Sequence, residues 1–213
     1  MTQRGLFITF EGVEGAGKST LSLNVLKAFQ LKNIPAIHTR EPGGTLLGEK
    51  LREFVLDKEL SGHIKPRAEL FLFLSARAQH VEEVIRPRLE EGVTVLCDRF
   101  SDSTIAYQGY GRNLGPQYVQ KLSDLSTDFL VPDLTFLCDL ESEQGFSRTK
   151  HRKFSDRIED EHIEFHKRVR QGFLELAKIH SDRIIVLDAT KSATDLLSQV
   201  LICIDQKRNN YGF

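Results

Sequence analysis

Residues 12–19 read Gly-Val-Glu-Gly-Ala-Gly-Lys-Ser and match the pattern G-x-x-x-x-G-K-[ST] at every fixed position. Glycines let such a loop wrap closely around a polyphosphate with its backbone N–H groups turned inward. In this pattern Lys18 reaches the β- and γ-phosphates and the hydroxyl of Ser19 is a ligand for Mg²⁺. An apolar run at 6–10 precedes the loop and a helical pattern begins at Thr20, as the motif requires. The sequence therefore predicts a nucleoside triphosphate site formed by Gly12, Val13, Glu14, Gly15, Ala16, Gly17, Lys18, Ser19 and Thr20.

Short apolar segments alternate with longer helical stretches along the chain. The expected strands are Leu6–Phe10, Ala36–Thr39, Val93–Cys97, Leu134–Cys138 and Ile184–Leu187. Their nearly continuous apolar character is typical of strands that helices cover on both faces. Strands separated by helices imply right-handed crossovers and a parallel sheet. We therefore expect an α/β fold with three α/β/α layers and about five parallel strands, in a single domain spanning residues 1–213.

Composition excludes several classes of protein. The chain has 213 residues, of which 40% are hydrophobic, enough for one globular domain with a full core. A net charge of −1 lacks the basic field that nucleic-acid binding usually needs. No apolar run approaches a membrane span, and the N-terminus lacks the pattern of a secretion signal. The three cysteines lie in apolar surroundings, which favours reduced thiols in a cytoplasmic protein over a disulfide framework.

Two helical stretches predict packing. The segment 70–74, Leu-Phe-Leu-Phe-Leu, is apolar on all sides, and a helix of this kind must be covered on all sides. The sheet covers one face, so we expect a homodimer to cover the other; a deeply buried helix in a monomer is the alternative. The second stretch runs from about Asp156 to His180. Its core stripe is expected to be Ile158, Phe165, Val169, Phe173 and Leu176.

Charged residues follow two of the expected strands. In parallel α/β sheets, ligands bind at the carboxyl ends of the strands. Asp98 and Arg99 come directly after the third strand, where Asp98 would approach Mg²⁺ and Arg99 would clamp phosphate oxygens. The alternative is a surface ion pair of small energetic value. The turn Arg40-Glu41-Pro42-Gly43-Gly44 follows the second strand, and its charged pair either faces a substrate or lies on an exposed loop.

Two later segments carry further polar groups. Residues 103–112 combine hydroxyls, an amide, aromatic rings and an arginine, which suit a nucleobase and its sugar. The basic residues of 148–153 indicate a lid over about 146–157, whose closure would bring cations onto a transferring phosphoryl group. A solvated basic loop is the alternative. His162 and His166 resemble a zinc motif but the glutamate between them is one place late for H-E-x-x-H, so we expect both on the surface.

Several of these motifs, taken together in their order along the chain, resemble the thymidylate kinase family, whose members phosphorylate dTMP to dTDP. The resemblance extends from Phe7 to beyond Leu187. The matching segments are 10–20, 39–45, 98–99, 107–109 with 111–112, 132–135 and 156–159. The chain is similar to the bacterial members, which have no arginine inside the phosphate loop and supply the catalytic cation from the lid.

The resemblance implies a role for individual residues. Glu14 would bind the 3′-hydroxyl of the acceptor sugar, Phe73 would stack on thymine, and Arg77 would reach the edge of the base. Thr104 would make a polar contact to the base, and Tyr107 would crowd the 2′ position of the sugar. The full set of implied substrate-binding residues is Glu14, Arg40, Phe73, Arg77, Arg99, Ser103, Thr104, Tyr107 and Gln108.

The catalytic residues implied by the resemblance are Lys18, Arg99, Arg148 and Arg152, with Ser19 and Asp98 as the metal site. The lid departs from a purely arginine pattern, because Lys150, His151 and Lys153 lie among its arginines. A lysine does not replace a bidentate arginine on a phosphate, so the identity of the catalytic lid arginine stays open.

The sequence thus predicts a kinase that transfers the γ-phosphoryl group of ATP to dTMP with Mg²⁺. One alternative is a kinase for another nucleoside monophosphate, such as dCMP, UMP or AMP. A second is a GTP-dependent switch, which would need a guanine-reading N-K-x-D segment that this sequence lacks. A third is an ATP-binding protein without catalysis, against which intact Lys18, Ser19, Asp98 and Arg99 argue.

Overall fold

A computed structural model describes residues 4–149 and 155–211 of the chain. Within these residues one parallel sheet has the strand order β2-β3-β1-β4-β5. The strands are β1 (Phe7–Glu11), β2 (Ala36–Arg40), β3 (Thr94–Asp98), β4 (Leu134–Asp139) and β5 (Ile184–Asp188). Every expected strand is present, and no strand end differs from its predicted position by more than one residue.

Helices connect the strands. They are α1 (Lys18–Leu31), α2 (Leu46–Leu56), α3 (Pro66–His80), α4 (Arg86–Glu90), α5 (Ser101–Thr104), α6 (Pro116–Ser126), α7 (Ser142–Thr149), α8 (Ile163–Ile179) and α9 (Ala193–Tyr211). A short 3₁₀ turn, Lys58–Leu60, follows α2. Two segments continue the preceding helix with the wider π-helical turn: Val81–Ile85 after α3 and Ile105–Gly111 after α5.

The alternation of side chains along β1 builds the three layers. Ile8 and Phe10 point into a buried cluster with residues of α1 and α9, including Val25 and Val200. Phe7, between them in sequence, packs on the opposite face with residues such as Ile85. A third cluster on this opposite face joins α3, α6 and α8. The sheet is therefore covered on both faces, and the expected α/β/α architecture is confirmed.

The register of the sheet brings polar strand ends to one edge. Asp98 at the end of β3 is level with Phe10 of β1 and with Arg40 of β2. Glu11 is the next residue of β1 and the phosphate loop follows it. The carboxyl ends of β1, β2 and β3 thus meet where the sequence predicts the ligands.

Helix α8, which corresponds to the helical stretch expected from about Asp156 to His180, begins later than its pattern predicts. It starts at Ile163, and residues before it form turns, so the predicted start near Asp156 is wrong. The carboxylate of Asp156 accepts the backbone N–H groups of Ile158 and Glu159, both at 2.9 Å. Such side-chain acceptors compete with helical hydrogen bonds and favour a turn. The predicted core stripe is nevertheless buried in one cluster.

Helix α7 lies directly against the phosphate loop, backbone to backbone. A Cβ atom added to Gly145 would lie 2.4 Å from the carbonyl oxygen of Glu14, and one added to Gly15 would lie 2.5 Å from the carbonyl oxygen of Gly145. Real Cβ contacts are never this short, so glycine is required on both sides. The start of the predicted lid, 146–149, belongs to α7, whereas 150–154, with Arg152, lie outside the described residues.

The apolar helix α3 is covered only in part. Leu70 and Leu74 are buried, whereas 47% of Phe71 is exposed. All three cysteines are free; Cys97 and Cys138 are buried and Cys203 is partly so. Across 4–149 and 155–211, every helix falls short of the length or the apolar character needed to cross a membrane.

Candidate active site

A cleft of about 260 Å³ opens at the carboxyl edge of the sheet. Its lining residues are Glu14, Gly15, Gly17, Lys18, Ser19, Thr20, Arg40, Glu41, Pro42, Arg52, Leu56, Phe73, Arg77, Asp98, Arg99, Ser103, Thr104, Tyr107, Gln108, Asp156, Ile158 and Glu159. Nearly all of the predicted site residues therefore lie along one cleft. Four other predicted residues of the described chain do not line it: Gly12, Val13, Ala16 and Arg148.

The phosphate loop has the backbone that its glycines predict. Gly12 has a φ of 135°, which L-residues rarely adopt, and a Cβ atom there would lie 2.4 Å from the carbonyl oxygen of Cys138. Lys18 is buried and donates from Nζ to the carbonyl oxygen of Val13 at 2.8 Å. Burial and the positive charge of Arg99 lower the pKa of Lys18. The ammonium group is thus held inside the loop that an anion would occupy.

Ser19 and Asp98 meet beside the loop. The Ser19 hydroxyl donates to Oδ2 of Asp98. The other carboxylate oxygen, Oδ1, is buried and has no hydrogen-bond partner among the described residues. A hydroxyl and a carboxylate are the hard oxygen ligands that Mg²⁺ prefers, so this pair fits the ion. Over 4–149 and 155–211, no three His, Cys, Asp or Glu side chains converge as metal ligands, so bound phosphates and water would complete the coordination.

Arg99 crosses the cleft from the end of β3. Its φ of 71° lies in the left-handed region, which costs a non-glycine residue of order 1 kcal/mol. Its Nη1 donates to the carbonyl oxygen of Gly12 at 3.0 Å and its Nη2 to Oε1 of Glu14 at 2.7 Å. The guanidinium also lies 5.0 Å from the centre of the Tyr107 ring. The strained backbone thus aims this cation at the inner side of the phosphate loop.

Glu14 projects from the phosphate loop into the middle of the cleft. Besides the Arg99 contact, its two oxygens lie 2.6 and 2.7 Å from the hydroxyl of Tyr107, which donates to the carboxylate. Burial alone would raise the pKa of Glu14, but the charges of Arg99 and Lys18 outweigh it and lower the pKa. The group is therefore an ionised acceptor, suited to a hydroxyl of a ligand.

His166 is not on the surface, so that expectation is wrong. Its side chain is only 3% exposed, and Nδ1 lies 3.7 Å from Oε2 of Glu14. The ring is held edge-on between Phe146 of α7 and Phe165, at 4.7 and 5.2 Å between centroids. Burial lowers its pKa despite the nearby carboxylates. The pattern of charged neighbours in sequence hides this position, because His166 faces inward from α8; His162 is exposed as expected.

The other end of the cleft is formed by α3. Phe73 and Arg77 are one turn apart on this helix and both line the cleft. Arg77 is 2% exposed and its Nε donates to Oε2 of Glu41 at 2.6 Å. Its Nη1 donates to the Thr104 hydroxyl at 2.8 Å. Glu41 also contacts Nδ1 of His80 at 2.9 Å, so this buried carboxylate holds Arg77 in place.

The two charged residues of the predicted turn therefore have different surroundings. Arg40 is exposed and donates to Glu49 at 3.0 Å, whereas Glu41 is buried beneath Arg77.

Ser103 also lines the cleft, but its hydroxyl is engaged between Glu11 and Nη1 of Arg99. Arg148 does not line the cleft; its Nη1 donates to the carbonyl oxygens of Ala189 at 3.1 Å and of Gly15, in the phosphate loop, at 3.5 Å. The roles of these residues stay predictions.

Comparison with known proteins assigns the family. A family model described as Thymidylate kinase matches residues 10–200. The chain belongs to the thymidylate kinase family. A thymidylate kinase from Desulfovibrio desulfuricans is 46% identical over 207 residues, which cover 94% of this chain and 95% of that protein. One from Carboxydothermus hydrogenoformans is 48% identical over 197 residues, covering 92% and 95%.

A solved structure supports the same assignment. The crystal structure of thymidylate kinase from Ehrlichia chaffeensis matches with a TM-score of 0.74 at 34% sequence identity. The match covers 94% of this chain and 99% of that one. The resemblance that the sequence motifs indicate is therefore confirmed over nearly the whole chain.

Arg52 of α2 is a cleft residue that the sequence does not reveal. It donates from Nη1 to the carbonyl oxygen of Pro42 at 3.0 Å and lines the cleft together with Arg40 and Arg99. Burial lowers its pKa, and the charge of Arg40 adds to this effect. On an amphipathic helix an arginine is normally a solvent-facing residue, so the pattern alone gives no reason to single it out.

Glu11 is a second residue that the motif does not single out, and it supports Arg99 from below. Its Oε1 accepts the backbone N–H of Phe100 at 2.7 Å, and its Oε2 accepts the Ser103 hydroxyl at 2.5 Å. These contacts hold the backbone directly after Arg99. The side chain is fully buried, and burial, with the charge of Asp102, raises the pKa of Glu11 to about 7.

We predict a pH-dependent stability that Glu11→Gln removes. A carboxyl whose folded pKa is raised favours folding below its unfolded pKa, and this contribution is lost as the pH rises through about 7. A shift of this size corresponds to about 3 kcal/mol. Urea denaturation of both proteins between about pH 5 and 8 should show the wild type losing stability relative to Glu11→Gln as the pH rises. Parallel curves for the two proteins would contradict the raised pKa.

Proposed function

We propose that this protein transfers the γ-phosphoryl group of ATP to the 5′-phosphate of dTMP and forms dTDP. Membership in the thymidylate kinase family supports the proposal. The observation that carries it is the arrangement of the cleft, in which the phosphate loop lies at one end, Phe73 and Arg77 at the other, and Glu14 between them. This arrangement would bring a donor triphosphate and an acceptor nucleotide face to face.

The acceptor would lie along the wall formed by α3 and the segment 101–111. The ring of Phe73 is placed to stack on a base, and Arg77 is held to meet the edge of that base. The ionised Glu14 would accept a hydrogen bond from the 3′-hydroxyl. Tyr107, whose hydroxyl is fixed on Glu14, would leave little room for a 2′-hydroxyl. A deoxynucleotide would therefore fit this wall better than a ribonucleotide.

The donor phosphates would be held by the loop 12–19 and the N-terminus of α1, which offer backbone N–H groups and the positive end of the helix. Lys18 would leave the carbonyl of Val13 and bind the β- and γ-phosphates. Mg²⁺, held by Ser19 and through water by Asp98, would neutralise charge between the phosphates when it is bound.

Catalysis in this site relies on position and charge. The acceptor phosphate is already an anion, so no strong general base is required. Arg99 donates to the Gly12 carbonyl and the Glu14 carboxylate of the phosphate loop, and from this position it would bridge the acceptor phosphate and the transferring group. Arg40 and Arg52 add positive charge at the acceptor end. Arg148, and Arg152 from outside the described residues, are proposed to supply the remaining cations from a lid over about 146–157.

We also propose that the protein is cytoplasmic and binds neither nucleic acid nor membranes. The net charge of −1 and the free thiols support this assignment. Activity with other nucleoside monophosphates is the main alternative for the substrate.

The substrate proposal predicts a clear preference in a side-by-side assay. With ATP and Mg²⁺, dTMP should give the highest kcat/KM among dTMP, dUMP, dCMP, UMP and AMP, because Phe73, Arg77 and Tyr107 suit a deoxypyrimidine. Coupled detection of ADP measures the rates. A preference for another monophosphate would overturn the substrate, and nucleotide binding without turnover would overturn the enzymatic function itself.

Arg99→Ala should lose turnover far more than stability. Removing an arginine from a transferring phosphoryl group costs roughly 10³-fold or more in rate. Arg99→Lys, which keeps the charge but loses the planar fork, should also be strongly impaired. Arg88→Ala is the matched control, since Arg88 is an exposed arginine paired with Glu91. Near-normal kcat for Arg99→Ala, with the fold verified by circular dichroism, would remove Arg99 from the mechanism.

A homodimer is proposed through the outer face of α2 and α3. Leu47, Phe54 and Phe71 on these neighbouring helices are each about half exposed, at 47%, 51% and 47%. Exposed apolar side chains on two helices in contact favour burial against a second copy. Phe71→Glu should therefore give a monomer in sedimentation velocity, whereas Ile202→Glu, on α9, should leave the dimer intact. A wild-type chain that sediments as a monomer at micromolar concentration would contradict the dimer.

A further inference from the structure

A buried cluster of charges lies behind the acceptor wall and is centred on Glu69. Only 1% of the Glu69 side chain is exposed, in the first turn of α3 and one turn before Phe73. Arg112 donates from Nε to Oε1 and from Nη2 to Oε2, both at 3.0 Å. Arg157 donates from Nη1 to Oε2 at 2.8 Å. Two arginines thus grip one carboxylate.

This surrounding fixes the charge state of Glu69. Burial alone would raise its pKa, but the hydrogen bonds and charges of Arg112, Gln108 and Arg157 lower it below the ordinary value. The carboxylate is therefore ionised at neutral pH. An ionised carboxylate only accepts hydrogen bonds and never donates one.

The fourth donor to Glu69 is the amide of Gln108, at 2.9 Å from Oε1. A glutamine amide has a donor end and an acceptor end that differ in chemistry but hardly in shape. Because Glu69 only accepts, the NH₂ end of Gln108 must face it. Gln108 also lines the cleft, so the amide atom that remains for a ligand is the oxygen Oε1.

The neighbouring donor on the same wall is Arg77. Its Nε is used by Glu41, its Nη1 by Thr104 and Ser123, and one hydrogen of Nη2 by the carbonyl oxygen of Phe100 at 3.0 Å. One Nη2 hydrogen has no partner among residues 4–149 and 155–211. The wall therefore offers a base edge one donor and one acceptor, in fixed places.

We infer that Glu69 is a positioning residue for base selection, because it sets which end of the Gln108 amide faces the cleft. Thymine presents a carbonyl acceptor and an N3–H donor, which match Arg77 and the oxygen of Gln108. Cytosine presents an NH₂ donor and an N3 acceptor, so it meets like groups at both places. A buried polar group left unpaired by the wrong base is strongly unfavourable, and Glu69 thereby sets discrimination without touching the base. The inference rests on the proposed function.

The first test compares the ratio of kcat/KM for dTMP to kcat/KM for dCMP in wild type and Glu69→Gln. A glutamine at 69 both donates and accepts, so the amide of Gln108 is free to turn over. We expect the ratio to fall by about tenfold, which is the effect of losing one hydrogen bond to the base, while KM for ATP is unchanged. An unchanged ratio in a folded Glu69→Gln protein overturns the inference.

A second variant shows whether Glu69 acts through Gln108. Gln108→Met has a similar shape and neither donor nor acceptor, and it should lower the ratio to a similar extent. In the double variant Glu69→Gln with Gln108→Met, the ratio should fall no further. Multiplication of the two effects would mean that Glu69 acts by another route and would overturn the inference.

Arg157→Lys is the matched control. Arg157 donates to Glu69 and also to the carbonyl oxygen of Val55, so the substitution weakens the charge cluster but leaves the Glu69 contact to Gln108. We expect a lower melting temperature and an unchanged ratio. If Glu69→Gln does not fold, the test rests on Gln108→Met, for which an unchanged ratio of the two kcat/KM values overturns the inference. A wild type that fails to prefer dTMP contradicts the proposed function instead.

Discussion

A carboxylate stands inside a loop whose backbone is built to receive anions, and the site depends on how that charge is balanced. Glu14 would repel a polyphosphate if it were left alone. Arg99 offsets its charge at 2.7 Å, and the Tyr107 hydroxyl lies within hydrogen-bond distance of both carboxylate oxygens. Arg99 makes this contact from a left-handed backbone conformation, and Glu11 holds the residue that follows it. Donor and acceptor ends of the cleft are thus joined by one ion pair.

Other buried carboxylates hold their neighbours in place along the wall of the cleft. Glu41 accepts a hydrogen bond from Arg77, and Glu69 accepts hydrogen bonds from Arg112 and Arg157. Glu11 instead accepts from the backbone N–H of Phe100 and the hydroxyl of Ser103, directly after Arg99. Each acid is buried, and each makes several hydrogen bonds that fix its partners. Removing the arginine from the Glu41–Arg77 or the Glu69–Arg157 ion pair would leave a buried charge uncompensated, which is strongly unfavourable. Arg77, and the backbone that follows Arg99, are therefore held rigidly, which suits catalysis that depends on placement.

The fold was largely predictable, since the apolar strands and the phosphate loop follow local rules of pattern and backbone geometry. The cleft residues Arg99, Phe73 and Arg77 were also predictable, though the last two only through family resemblance. What escaped prediction depends on tertiary contacts. His166 reads as a surface residue among charged neighbours, and Arg52 as an ordinary helix arginine, because burial is a property of the packed structure. The late start of α8 was also missed, because the Asp156 carboxylate stabilises a turn where the pattern predicted the first residues of the helix.

Where α7 rests on the phosphate loop, two glycines touch and no side chain lies between the two backbones. A side chain would act as a compressible spacer, able to change rotamer and absorb a small displacement. Peptide groups in direct contact have no rotamers and cannot absorb a displacement in this way. A shift of α7 by a fraction of an ångström must therefore be passed on to the amides that face the phosphates. The spacing of those amides is therefore tied to the position of α7 itself.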